Sequence, residues 1–425
     1  MQLQSLNQTQ LQALERELAE QYQSFQAQNL KLDLTRGKPS SEQLSLSDAL
    51  DGILAGNYKA EDGTDCRNYA ILDGIPEIKR LGAAIMGLPV EQVLAGGNAS
   101  LTLMYQTVQH ALTIGFNGPD SAWQNEGKIK FACPVPGYDR HFTICEFFGI
   151  EMIPVAMTDT GPDMAALTEL VSNDPSIKGV WCVPKYSNPT GIIYSDDVVK
   201  AMAELPKVAG ANFKIFWDNA YAVHDLVSTP NPLANIFDYA SQAGTDDAVL
   251  QFCSTSKVTH AGAGVAFLGA SQANLASFIK GLSVSTIGPD KVNQLRHARF
   301  LPDMDALQAH MQKHAAILKP RFDMVLKYLN EDLANTGMGE WESPEGGYFI
   351  AFDTLPGLAK AVVKLAADAG VKLTPAGATF PYGKDPEDRN IRIAPSVPGL
   401  DELEKAMQIF VLSVKLASVR QALAA

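Results

Sequence analysis

Residues 90 to 270 alternate short apolar runs with stretches of helical spacing, and this restricts the fold more than any other feature of the chain. Lys178-Gly179-Val180-Trp181-Cys182-Val183-Pro184 reads as a buried strand, Asp196 to Leu205 as a helix, and Phe213-Lys214-Ile215-Phe216-Trp217 as the next strand. Such a repeat predicts an α/β fold with a mostly parallel sheet, because parallel neighbours need a crossover and a helix usually supplies it. Ligands of these sheets sit beyond the carboxyl ends of the strands. Polar residues that close an apolar run are therefore the first places to look for chemistry.

The flanking segments read differently. Leu11, Leu14, Leu18 and Tyr22 share one helical face, an amphipathic arm that ends before the strand-like Leu30-Lys31-Leu32-Asp33-Leu34. Asp303 to Leu333 carries a long helical pattern in which Pro320 predicts an interruption. A second α+β unit follows, with a strand over 347–352, a helix over 357–369, a strand over 390–394 and a C-terminal helix from Leu400.

A formal net charge of -13 and a pI near 5.0 argue against a nucleic-acid footprint or a polybasic membrane patch. An anionic substrate then needs a local arginine. Five scattered cysteines without C-x-x-C spacing suit neither a disulfide framework nor zinc, and a reducing cytoplasm fits them best. The Gln- and Glu-rich start is unlike a secretion signal, and no apolar run reads as long enough to span a bilayer.

Lys257 follows the apolar run Ala248-Val249-Leu250-Gln251-Phe252-Cys253 and precedes the small-residue loop Ala261-Gly262-Ala263-Gly264. Most lysines are solvated at the surface, but this setting draws the amine inward and favours its neutral, nucleophilic form. Asp218 ends Ile215-Phe216-Trp217, where a buried carboxylate is costly without a cationic partner. It also reads as the N-cap of a helical turn over 219–224. Tyr221 is a hydroxyl donor or a core aromatic, and Asn188, in Ser187-Asn188-Pro189-Thr190-Gly191, is a ligand or an ordinary turn residue. Gly96-Gly97-Asn98-Ala99-Ser100 opens a helical pattern, as a phosphate-binding loop does and as a common turn also does.

At these residues the chain resembles the class I (fold-type I) pyridoxal phosphate (PLP) aminotransferases over nearly its whole length. It looks most like the MocR-like subgroup of bacterial aspartate aminotransferases, through the strings 29–39, 134–142, 217–224 and 254–267. The resemblance implies a large domain with a mostly parallel central sheet plus a smaller α+β domain built from both chain ends. Residues 1–45 would form the arm and part of the small domain, 46–302 the large PLP-binding domain, and 303–425 a linking helix and the small C-terminal domain.

The resemblance also implies roles. Lys257 would be the Schiff-base lysine and proton shuttle, Asp218 the partner of the pyridinium nitrogen, and Asn188 and Tyr221 the ligands of the ring oxygen. Asn98, Ala99, Ser100, Ser254 and Ser256 would line the phosphate, and Tyr138 would stack on the ring. Tyr69 would reach the phosphate from a partner subunit, making a homodimer with its active site at the interface. Gly37 would lie over the substrate and Arg392 would take its α-carboxylate. The family's loop arginine is missing from 258–265, which leaves His260, the helix dipole and the serines to neutralise the phosphate.

The implied reaction is transamination of aspartate with 2-oxoglutarate. A side-chain carboxylate needs a second cation, with Arg36 the first choice beside Gly37 and with Lys38, Arg140, Arg296 and Arg299 as the others. An aminotransferase for alanine or aromatic amino acids, a PLP-dependent lyase and a PLP-sensing regulator are the competing expectations.

Overall fold

The structure is a computed structural model that describes residues 2–425. Strand β1 (Leu32–Leu34) follows an N-terminal helix, Gln8–Gln26. The large sheet comprises β2 (Val93–Ala95), β3 (Lys130–Val135), β4 (Glu151–Thr158), β5 (Gly161–Pro162), β6 (Ile177–Cys182), β7 (Lys214–Asp218), β8 (Val249–Ser254) and β9 (Ala266–Ala270). Its spatial order is β2-β9-β8-β7-β6-β3-β4-β5, and the run from β8 to β4 is parallel. The core strands are buried on both faces, which is why β6, β7 and β8 read as nearly unbroken apolar runs.

Parallel direction collects the site. The residues that follow β3, β6, β7 and β8 all emerge at one edge, and the register pairs Cys182 with Trp217 and Asp218 with Phe252. Strand β2 reaches the same edge, because β9 runs antiparallel to both β2 and β8. Tyr138, Asn188, Asp218, Lys257 and the 96–100 loop are thus brought together by topology.

A second core draws on both chain ends. Leu11, Leu18, Leu32 and Leu34 pack in one cluster with Phe322, Val325, Phe352, Ile393 and Phe410. Strand β1 pairs in parallel with β12 (Val371–Leu373), and the Tyr22 hydroxyl donates to the Leu365 carbonyl at 2.7 Å. Strands β10 (Gly339–Trp341), β11 (Ile350–Thr354) and β13 (Asn390–Ile393) form an antiparallel sheet in the order β10-β11-β13.

Four expectations need correction. The helix Met304–Leu333 runs through Pro320 without a break. Ala316, whose carbonyl loses its donor, and Pro320 itself both lie on the exposed face, so water can satisfy that carbonyl while the opposite face stays packed. The strand expected from 347 begins only at Ile350, because Gly347 has φ +81 and a Cβ on Gly346 would sit 2.3 Å from the Tyr186 ring. No helix follows Asp218, only turns, so it caps nothing. Finally, the helix Leu400–Ala424 is long and apolar enough to cross a membrane, but 67% of its apolar window is buried in the protein. It is apolar all round because it is a core helix.

Replacing Pro320 with Ala restores a backbone donor and removes the clash with residue 316, so it should stabilise the protein by up to about 3 kcal/mol. A melting temperature that falls in Pro320→Ala would contradict this account.

Candidate active site

Lys257 stands three residues past β8 on a loop that folds back on its own start. The Thr255 amide donates to the Val265 carbonyl and the Val265 amide to Thr255 Oγ1, each at 2.8 Å. A Cβ on Gly264 would lie 2.9 Å from the Ser256 nitrogen, which explains the small residues there. The Lys257 amine sits 5.2 Å from the Tyr221 ring centroid and 6.0 Å from that of Tyr348. The residue as a whole is half-buried, while protein atoms surround the amine. Burial lowers its pKa and the Arg392 charge lowers it further, against an upward pull from Asp218.

A tier of buried histidines holds this loop from behind, and sequence reasoning missed it. His224 Nε2 lies 3.3 Å from the Lys257 carbonyl, His310 Nε2 2.8 Å from that of Val258, and His297 Nε2 2.8 Å from Thr259 Oγ1. His314 Nε2 is 3.1 Å from His310 Nε2. The only sequence signal was the i,i+4 spacing of His310 and His314 on a helical face.

Asp218 is buried at the end of β7. One carboxylate oxygen, Oδ2, is 3.0 Å from His141 Nε2, and the His141 ring lies flat on Trp181 at 4.4 Å and 11°. The other, Oδ1, is buried and has no partner among the described residues. His141 falls inside the string 134–142 but had drawn no role from the sequence.

Arg392, on β13, donates through Nη1 to Asn188 Oδ1 at 3.2 Å and to Asp139 Oδ1 at 3.0 Å. Its guanidinium carbon lies 4.8 Å from the Phe349 ring centroid, and a Cβ on Gly37 would come within 2.4 Å of that same ring. Only glycine lets the chain pass there. Asn188-Pro189 is cis.

Ser100, Tyr138, Asn188, Asp218, Tyr221 and Lys257 line one cavity. A larger cleft between 190–196 and 342–345 holds none of them, and chemistry rather than size selects the smaller one. Burial raises the phenols of Tyr138 and Tyr221 above the ordinary tyrosine range, so both are hydroxyl donors at neutral pH.

Along the wall of the cavity that Ser100, Leu101 and Met104 line, the helix Ser100–Thr113 begins at Ala99 with no side-chain cap. Its first amides are free for an anion. Asn98 Nδ2 donates to the Gly262 carbonyl at 3.1 Å, Ser256 Oγ to the Asn98 carbonyl at 2.9 Å, and Ser254 Oγ to Ser256 Oγ at 3.1 Å. Tyr69 is 76% exposed and lines no part of this cavity, and Arg36 is exposed without an ion pair among the described residues. Arg299 is occupied by the carbonyls of Leu54 and Lys59, at 3.2 and 3.4 Å.

Residues 6–425 match the protein family described as aspartate amino-transferase. The chain is 46% identical over 403 residues to an aspartate aminotransferase of Corynebacterium glutamicum, covering 95% of this chain and 93% of the relative. A crystal structure of an aspartate transaminase from that organism superposes with a TM-score of 0.95 at 44% identity, covering 99% of each chain. At 18% identity the likeness is one of fold: the α-aminoadipate aminotransferase of Thermus thermophilus, solved with N-(5'-phosphopyridoxyl)-L-leucine, gives a TM-score of 0.73 over 93% of each chain. The architecture is that of the fold-type I aminotransferases.

Burial holds His224 down at about 3, helped by the Lys257 and His314 charges, and His314 at about 4, helped by His310, against an ordinary 6.5. Folded values below the unfolded one mean that the native state binds fewer protons as pH falls from 6.5 toward 4. Stability present above pH 6.5 is therefore lost in that window, at up to about 1.4 kcal/mol per pH unit for each histidine. Denaturant midpoints measured stepwise from pH 7 to pH 5 should fall, less steeply in His314→Gln. A midpoint constant over that range would contradict this.

Proposed function

The chain belongs to the aspartate amino-transferase family, and from that premise we propose that it is a PLP-dependent aspartate:2-oxoglutarate aminotransferase yielding oxaloacetate and glutamate. The observation that carries the reading is the unpartnered Asp218 Oδ1 buried in the same cavity as the Lys257 amine. A buried carboxylate oxygen without a partner fits a protonated ring nitrogen, and an uncapped helix start beside clustered serines fits a phosphate.

In this reading Lys257 holds the cofactor, Asp218 its ring nitrogen, and Asn188 and Tyr221 its ring oxygen. Tyr138 covers the ring, while Asn98, Ala99, Ser100, Ser254 and Ser256 hold the phosphate. When bound, PLP supplies an aldehyde for the amino group and a ring that takes up the electron pair left by the departing α-proton. Lys257 Nζ, biased toward its neutral form by burial, would take the proton from the substrate α-carbon and pass it to the former aldehyde carbon, so that the α-carbon ends as that of the oxo acid. Arg392 binds the α-carboxylate, a planar fork suited to that task, with Gly37 over the substrate.

Aspartate as donor is supported by the 46% identical relative of that name, and the four sequence strings support the MocR-like subgroup. Arg36 is our choice for the side-chain carboxylate, because it is unpaired among the described residues and adjoins Gly37. A homodimer belongs to the same reading. Ala70 and Ile71 hold φ of 83 and 58, unusual for these residues, and Lys291 Nζ donates to the Ala70 carbonyl at 2.7 Å. That clamp presents Tyr69 outward, as a residue serving a partner's phosphate site would be. Five buried, unpaired cysteines support a cytoplasmic setting.

The absorbance of the cofactor-loaded protein should change on adding aspartate and recover with 2-oxoglutarate; a spectrum unmoved by both would refute the reading. Lys257→Ala should abolish turnover with the far-UV dichroism unchanged, and retained turnover would show that another group moves the proton.

A further inference from the structure

Of Arg392's three guanidinium nitrogens, Nη1 is the one with partners among the described residues. Nη1 spends its hydrogens on Asp139 Oδ1 at 3.0 Å and Asn188 Oδ1 at 3.2 Å. Nε is buried and has no partner, and no hydrogen bond from Nη2 occurs among the described residues. Nε and Nη2 together make the side-on fork of a guanidinium, whose two parallel N–H groups match the two oxygens of a carboxylate. The same arrangement occurs at the surface, where Arg67 Nε and Nη2 grip Asp65. At Arg392 the fork is left open while the opposite corner of the group is tied down.

We propose that Asp139 is a positioning residue for substrate binding: by holding Nη1 it fixes the plane of Arg392 so that the Nε/Nη2 fork faces the substrate α-carboxylate. The inference rests on the reading of Arg392 given above. Three contacts then define the guanidinium: Asp139 and Asn188 on Nη1, and the Phe349 ring at 4.8 Å. Two of these are neutral. Only Asp139 brings charge, and it comes from the first residue of the helix Asp139–Phe148, where the free amides favour a carboxylate. Its side chain is 35% exposed against 7% for Arg392, so its desolvation is partial and the pair stays favourable.

The opposite role is distinguishable. If Asp139 occupied the place of the substrate carboxylate, it would sit on the Nε/Nη2 fork, and removing it would tighten binding. It sits on Nη1 instead, so its removal should let the fork rotate and weaken binding of every carboxylate ligand.

The experiment uses cofactor-loaded wild type, Asp139→Ala and Asp139→Asn. It measures KM and kcat for aspartate and 2-oxoglutarate, and the affinity for maleate by calorimetry. In Asp139→Ala, KM for both substrates and Kd for maleate should rise about tenfold, the loss of one charge-assisted hydrogen bond, with kcat little changed. Asp139→Asn keeps an acceptor without the charge, so it should fall between, and it carries the test if the alanine variant does not fold. Unchanged or lower KM and Kd, or a fall in kcat alone, would overturn the proposal. Absence of transamination in the wild type would sink the assigned reaction instead. The maleate arm would still decide Asp139, and a wild type that binds no maleate would refute the Arg392 fork itself.

Discussion

A carboxylate buried at the end of the central strand sets the terms for everything around it. Asp218 cannot sit at the end of β7 unless its charge is met, because an isolated ionised carboxylate in a dry interior is prohibitively costly. The protein meets half of that requirement: His141, stacked on Trp181, serves Oδ2, and Oδ1 is left open to the cavity. In the proposed reading the cationic ring nitrogen of the cofactor would meet that second oxygen.

Around this carboxylate the charges are arranged so that each controls another. Burial and the Arg392 charge bias the Lys257 amine toward its neutral form, while Asp218 pulls the other way. The histidines behind the loop are buried, and burial lowers the pKa of each, which favours their neutral forms. Three of them take successive positions, at Lys257, Val258 and Thr259, which fixes where the lysine backbone lies. Two of the three, His297 and His310, stand on helices, which gives their positions precision.

The site also depends on two cores meeting. Lys257, Asp218 and Asn188 come from the large sheet, whereas Gly37, Phe349 and Arg392 come from the segments that pack with the chain ends. Arg392 is where they join: its Nη1 reaches Asn188 and Asp139 while Phe349 backs its guanidinium. The turn at 346–349 that replaces the expected start of β11 is what brings Tyr348 and Phe349 inward, with the Gly347 amide donating to the His224 carbonyl at 3.0 Å.

Much of this was legible in the amino-acid sequence because local spacing encodes it. Alternating apolar runs and helical periods determined an α/β class and a mostly parallel sheet, and a parallel sheet delivers the residues after each strand to one edge. Lys257, Asp218, Asn188, Tyr221 and the 96–100 loop were therefore findable as polar breaks after apolar runs. Periodicity says nothing about which distant segments touch. His141 against Asp218, Asp139 against Arg392 and the histidines behind Lys257 join residues 77, 253 and up to 52 positions apart, and only the folded chain decided those pairs. Pro320 shows the same limit from the other side: a rule about the local backbone called for a break, and the exposure of one helical face removed the need for it.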